Sequence, residues 1–251
     1  MTVAVLVSGR IQKVNPIGDF VKNNTRLKEK FPGADFYYGT WQSYKSEFNR
    51  LFTHEKCEYF EEPVMHYHPF DINKKYHLSQ HYSRVVKTKW AKKKSTREWS
   101  SHQTKQILIH AWLLDRIKKK YDVIVRTRFD AFIHRSADFT SYIADTFKEN
   151  RANGFSTFDN KQFASLSARQ IPKKSVLGSY NMLCDQLIIH PPSFITKKQV
   201  DGLHREKRLH PAELGWAQVL SYPYRLNHRS FLGWVVNDRN ILDVFLKEED
   251  R

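Results

Sequence analysis

Apolar positions cluster early in the chain as short, unbroken runs. Val3-Ala-Val-Leu-Val7 is apolar at every position and breaks at Ser8-Gly9-Arg10. Without alternation, such a run suits a strand covered on both faces, the first strand of a parallel sheet feeding a tight turn. From Phe20 to Phe31 the pattern turns to a short helix, stopped by Pro32-Gly33. Asp35-Phe-Tyr-Tyr-Gly-Thr-Trp41 predicts a second strand and Cys57-Glu-Tyr-Phe-Glu61 a third. This β-α-β-α-β opening predicts a doubly wound α/β domain.

A longer helix is predicted over Ser101 to Lys120. Ile107, Ala111, Leu114 and Ile117 recur at three-and-four spacing, Ser101 offers an N-cap, and lysines crowd the C-terminal turn. Gln103 and Gln106 lie near its start. The helix delivers the chain to Val123-Ile-Val125, a β-branched run that passes straight into Arg126, Arg128 and Asp130. On an extended strand these three share one face. Guanidinium groups at the end of a buried strand require an anion. Ligands of open α/β sheets sit beyond the carboxyl ends of the strands, so this is a candidate anionic-substrate site. The alternative is an Arg–Asp salt-bridge cluster that only locks the strand end.

Past Asp130 the pattern loosens. A helix is expected over Asp138 to Phe147 and a short strand over Phe155 to Phe158. The segment from Asn181 to His190 carries Asp185 and Gln186 into an apolar strand closed by Pro191-Pro192. A late helix is expected to start at Pro211, with Glu213 in its first turn, where an acid also complements the helix dipole.

Composition narrows the classes. The chain is 251 residues long, 40% hydrophobic and 14% aromatic, enough for a sizeable core and unlike a disordered chain. No apolar run approaches the roughly 20 residues of a membrane span, and the opening run reads as a strand and not as a secretory signal. Cys57 and Cys184 stand in no metal or redox spacing, which predicts free thiols in a cytoplasmic protein. The histidines His66, His68, His77 and His81 invite a zinc reading, but no cysteine or His-Glu helix motif supports it. There is no Gly-rich dinucleotide fingerprint and no phosphate-loop Gly-Lys-Ser/Thr. The formal charge is +16, concentrated in Lys87 to Arg97, Lys118 to Lys120 and His204 to His210. That excess favours a polyanionic partner: phosphorylated substrates, an anionic membrane surface, or nucleic acid. A non-catalytic nucleic-acid-binding protein is the alternative from another class, although a pure binder has no need of arginines and an aspartate at a buried strand end.

Together, the Val3-to-Arg10 strand and turn, the Gln-bearing helix leading to Tyr121-Asp-Val-Ile-Val-Arg-Thr-Arg-Phe-Asp130, the Asp185-Gln186 strand and the Glu213 helix resemble a small GT-A-type glycosyltransferase, of the sort found in surface-polysaccharide gene clusters and large DNA viruses. The resemblance implies a single α/β, GT-A-like domain, a Rossmann-like nucleotide-binding sheet with helices on both faces. Residues 1–130 would form the nucleotide-sugar half and 131–251 the acceptor-side half.

What the resemblance implies for chemistry is transfer of a sugar from a UDP-, GDP- or dTDP-sugar to a hydroxyl of a glycan acceptor. Donor contacts fall to Ser8, Gly9, Arg10, Arg126, Arg128 and Asp130, with the Asp35–Tyr38 region as a further wall. GT-A enzymes carry an Asp-x-Asp on a divalent metal; here the stretch reads Arg128-Phe-Asp130 and only the last aspartate matches. Asp130, with His228, would hold Mn²⁺ or Mg²⁺, or else the arginines take over charge neutralisation. For an inverting reaction Glu213 is the expected general base and Asp185 the second choice. The basic runs would hold the donor or bring the protein to the periphery of an anionic membrane.

Overall fold

The computed structural model describes residues 1–11, 17–64, 94–156, 186–195, 225–230 and 235–236, and of residues 17–19, 94–104, 156, 225–230 and 236 the backbone alone. The predicted elements at the front of the chain are all present. They are β1 (Val3–Ser8), α1 (Ile17–Lys30), β2 (Asp35–Trp41), α2 (Lys45–Leu51), β3 (Cys57–Phe60), α3 (Lys94–Arg116) and β4 (Val123–Thr127). After them come β5 (Phe132–Ile133), α4 (Thr140–Glu149), β6 (Arg151–Ser156), β7 (Leu187–His190), β8 (Arg225–Ser230) and β9 (Val235–Val236). The predicted strand over Phe155 to Phe158 lies earlier in the chain, as β6. The predicted Pro211 helix and the four histidines from His66 to His81 fall outside the described residues.

Seven strands form one sheet in the order β3-β2-β1-β4-β7-β6-β8, and β5 pairs with β9 separately. β3, β2, β1 and β4 are mutually parallel, with Val5 opposite Phe36 on one side and Val125 on the other. In the second half the sheet is mixed: β7 runs antiparallel to both β4 and β6, and β8 is parallel to β6. Leu187, Ile188 and Ile189 are fully buried, so the strand reads as a continuous apolar run whichever way it points.

Helices cover both faces. On one, Val5, Val7, Val123 and Val125 pack with Phe20 and Leu27 of α1, Phe48 of α2 and Ile143 of α4. On the other, Ala4, Leu6 and Ile124 lie under Ile109 and Leu113 of α3. Gly39 sets the height of α3, because a Cβ there would stand 3.1 Å from Leu113 Cδ2. Helix α3 begins seven residues before Ser101, so Ser101 is interior and not an N-cap; it ends at Arg116, leaving Lys118 to Lys120 beyond it. Its buried surface is also wider than one stripe: Ile107 through Ala111 and Leu113 are all buried.

Candidate functional site

The carboxyl ends of the four parallel strands lie at one edge of the sheet. Val7 is opposite Thr127, so the chain segments following β1 and β4 leave the sheet side by side, one strand spacing of about 5 Å apart. After β1 the backbone turns at Gly9, whose φ of 133° suits only glycine. Gly9 N–H donates to Gly39 O (3.1 Å), and its carbonyl accepts from Thr40 Oγ1 (2.8 Å). A Cβ at Gly9 would meet nothing within 4 Å among the described residues, so on their side the turn is open. Ser8 Oγ is buried there, without a hydrogen-bond partner among the described residues. Arg10 is exposed and donates from Nε to Tyr44 Oη (2.9 Å), with its guanidinium 6.0 Å from that ring centroid. Tyr44 and Thr40 carry no motif in the sequence; Thr40 lies near the end of the second parallel strand and Tyr44 in the 3-10 turn that follows it.

Beyond β4 the expected shared face of Arg126, Arg128 and Asp130 does not form. The strand stops at Thr127, and Ala131 N–H donates back to Arg128 O (3.3 Å), closing a tight turn. Phe129 drives that turn: its ring is buried against Phe48 and Phe52, with both centroids at 6.1 Å. With Phe129 packed inward, Asp130 returns toward Arg128 and takes its guanidinium bidentately, Nε to Oδ1 at 2.7 Å and Nη2 to Oδ2 at 2.6 Å. Both side chains are mostly covered, 16% and 10% exposed. Helix α1 anchors the chain just past this turn: Asn23 Nδ2 donates to Ala131 O (2.9 Å), Asn23 Oδ1 accepts from Ile133 N–H (2.9 Å), and Arg26 Nη1 donates to Ile133 O (2.8 Å).

Arg126 stays within the strand, opposite Leu6 and on the α3 face. It is fully buried and donates from Nη2 to Gln106 Oε1 (3.0 Å). Arg126 is thus a cation beneath α3 and not a group at the mouth of the edge. Beside it lies a pair that sequence reasoning missed. His110 of α3 and His190 of β7 are both fully buried, with their Nε2 atoms 3.1 Å apart. Pro191 O lies 2.8 Å from His190 Nδ1. The carbonyl only accepts, so His190 carries its proton on Nδ1, and its Nε2 accepts from His110 Nε2–H. Burial, the neighbouring imidazole and Arg126 hold His110 well below the ordinary histidine range. Burial, and then Arg126 against the Pro191 bond, bring His190 down to about 4. The hint in the sequence was a histidine within each of two otherwise apolar stretches.

Other expected site residues are placed differently. Asp35 opens β2 at the opposite, amino edge of the sheet, where Tyr121 Oη and Lys119 Nζ each donate to its Oδ2 at 2.5 Å; these bonds hold its carboxyl below the usual range. The Asp35–Tyr38 region is therefore mostly remote from Gly9, and Thr40 and Trp41 occupy the place expected of it. His228 lies in β8, in register with Gly154, Ile188 and Arg126 across three strand spacings, roughly 14 Å of backbone. Its side chain is outside the described residues, as are Glu213 and Asp185 altogether. Gln186 is buried, and its carbonyl accepts from Thr127 Oγ1 (3.2 Å).

As to a divalent ion, both Asp130 oxygens are bound by Arg128, and no three His, Cys, Asp or Glu side chains among the described residues converge. An ion at Asp130 would compete with a guanidinium for the same carboxylate, so these residues as arranged do not fit a metal site. What they provide is a glycine turn, a buried hydroxyl and two arginines at one sheet edge, a set of donors suited to an anion. No described helix is long and apolar enough to cross a membrane.

No family model matches the sequence, and no curated protein matches it. Solved structures do match. A 4-diphosphocytidyl-2C-methyl-D-erythritol synthase from Anaerococcus prevotii aligns over 100% of this chain and 96% of its own, at 4% identity and a TM-score of 0.52. A core-mannan synthase from Aspergillus fumigatus, in a Mn/GDP form, aligns over 91% of this chain and 72% of its own, at 10% identity and a TM-score of 0.48. Mouse xyloside xylosyltransferase 1 aligns over 97% and 91%, at 10% identity and a TM-score of 0.41. The fold is α/β and GT-A-like, as the sequence implied.

Proposed function

We propose that the chain is a glycosyltransferase that moves a sugar from a nucleotide-sugar donor to a hydroxyl of a glycan acceptor. The observation that carries this reading is the convergence of the Ser8-Gly9-Arg10 turn with the Arg128–Asp130 turn, at the carboxyl edge of adjacent parallel strands. The GT-A-like fold supports it, since this edge is where open α/β sheets bind ligands.

In the reaction the acceptor oxygen attacks the anomeric carbon. The bond from that carbon to the diphosphate oxygen breaks, and the nucleoside diphosphate leaves with the bonding electrons. Charge therefore grows on the diphosphate, where Arg128 and Arg10 provide preorganised cations. Asp130 fixes the Arg128 fork, and Tyr44 holds Arg10. The open side of Gly9 lets the donor approach the backbone, with Ser8 Oγ buried directly beneath the turn. Arg126 acts indirectly, by holding Gln106 and the floor of the site. The acceptor proton passes to Glu213, with Asp185 as the second choice for that role. Mn²⁺ dependence is read in the same experiment as donor choice. The basic runs Lys87 to Arg97 and His204 to His210 are assigned to donor capture and to peripheral contact with an anionic membrane.

The test is a thermal-shift screen against UDP-, GDP-, dTDP- and CMP-sugars, each with and without Mn²⁺. A ligand that binds only the native state raises Tm, so one nucleotide class should do so, and Arg10→Ala should weaken it. Absence of any nucleotide-sugar effect, together with steeply salt-dependent polynucleotide binding, would replace this reading with the nucleic-acid-binding one.

A further inference from the structure

At the opposite edge of the sheet the fold leaves a concavity of about 560 Å³. It lies between the last turns of α3, the start of β4 and the turn of 3-10 helix Pro192–Phe194 that follows β7. From Ile124 in its wall to Arg128 at the donor edge is four residues along β4, about 13 Å. The volume is that of a small-molecule site, and nothing in the proposed transfer uses it.

Its lining has three kinds of surface. Trp112 and Tyr121 supply rings, while Leu114, Ile117 and Ile195 supply aliphatic wall. Asp115, Lys119 and Lys120 are the charged groups. Lys119 is already matched by Asp35, and its ammonium lies 5.2 Å from the Tyr121 ring centroid. Asp115 and Lys120 are exposed and form no hydrogen bond or ion pair with the described residues.

These charges select among ligand classes. Asp35 and Asp115 against Lys119 and Lys120 cancel, and the C-terminal end of α3 adds a partial negative charge. With Lys119 paired to Asp35, the lining leaves one carboxylate, Asp115, and one ammonium, Lys120, so it does not by itself single out an anion. A wholly apolar guest would strip water from an unmatched carboxylate and ammonium, at a cost. A neutral sugar ring meets both demands: its C–H face packs against aromatic faces, whose quadrupole is negative, and its hydroxyls both donate to Asp115 and accept from Lys120.

We propose that this amino-edge pocket binds a neutral saccharide, separately from the donor edge. The inference does not depend on the transfer reaction, because its ligand carries no nucleotide and its residues lie at the other end of the strands.

The experiment is saturation-transfer-difference NMR on the full chain, titrated without nucleotide, using maltose, cellobiose, lactose and sucrose as probes and decanoate as an anionic amphiphile. At least one disaccharide should bind at millimolar concentration, with saturation strongest at ring C–H protons. In Asp115→Ala/Lys120→Ala, where both changes are on exposed side chains, affinity should fall roughly tenfold through the lost hydrogen bonds. Arg10→Ala, at the donor edge, should leave it unchanged. Binding of decanoate alone, no saccharide binding at all, or saccharide binding that falls in Arg10→Ala but not in the double variant would each overturn the proposal. None of these results bears on the nucleotide screen, so the two readings fail separately.

Discussion

Acid should destabilise this protein through one buried pair. His190 is fully buried, its Nδ1–H is committed to Pro191 O, and its Nε2 receives the proton of His110. A further proton would place a cation beside Arg126, out of contact with solvent. The folded pKa of about 4 lies below the ordinary 6.5, so between those values the unfolded chain binds the extra proton. The stabilisation is complete above about pH 6.5, declines as the pH falls, and is lost once the pH has dropped through about 4. At 1.36 kcal/mol per unit, His190 alone accounts for about 3 kcal/mol, and His110 adds in the same direction. The assay is urea unfolding of wild type and His190→Gln at pH values from 7.5 to 4, since glutamine can still accept from His110 but does not titrate. The wild type should lose about 3 kcal/mol more than the variant across that range. Parallel curves, differing by less than about 1 kcal/mol, would refute the reasoning and mean that the pair is hydrated or already protonated at neutral pH.

Three further outcomes are expected. Asp130→Asn should lower transfer at least a hundredfold and also cost about 1–3 kcal/mol of stability, because it leaves a mostly covered Arg128 without its carboxylate; parallel measurements of turnover and urea midpoint check both. Gly39→Ala should cost about 1 kcal/mol or more, since Leu113, itself fully buried, must shift to admit the methyl, which is read from the same unfolding curves. Glu213→Gln should reduce turnover roughly a hundredfold while keeping donor affinity; if Asp185→Asn shows that pattern and Glu213→Gln stays active, their roles are exchanged.

The sheet was legible where burial on both faces makes every position apolar: β1, β2 and β4 begin at the residues their runs predict. Strand direction was not, because Leu187 to Ile189 are buried equally whichever way β7 runs. The start of α3 was misread because Ser101 has cap chemistry but sits seven residues inside a helix whose first turns are polar and basic. At the site, Gly9 and the Arg128–Asp130 association were readable from local chemistry. The exit of Arg126 from the site was not. Arg126 stays in β4 beneath α3, bound to Gln106, while a turn containing neither glycine nor proline, formed as Phe129 packs between Phe48 and Phe52, carries Arg128 and Asp130 off that face. His110 and His190 are eighty residues apart in the chain, and only the three-dimensional pairing of α3 with β7 joins them.

Hydrogen–deuterium exchange with and without the nucleotide-sugar that gives the largest thermal shift tests the central claim most directly. The account predicts donor-dependent protection confined to residues 8–10 and 127–131, with the amino-edge residues 115–121 unchanged. Protection at 115–121 with none at the Gly9 and Arg128 turns would place the donor at the wrong end of the strands and contradict the account.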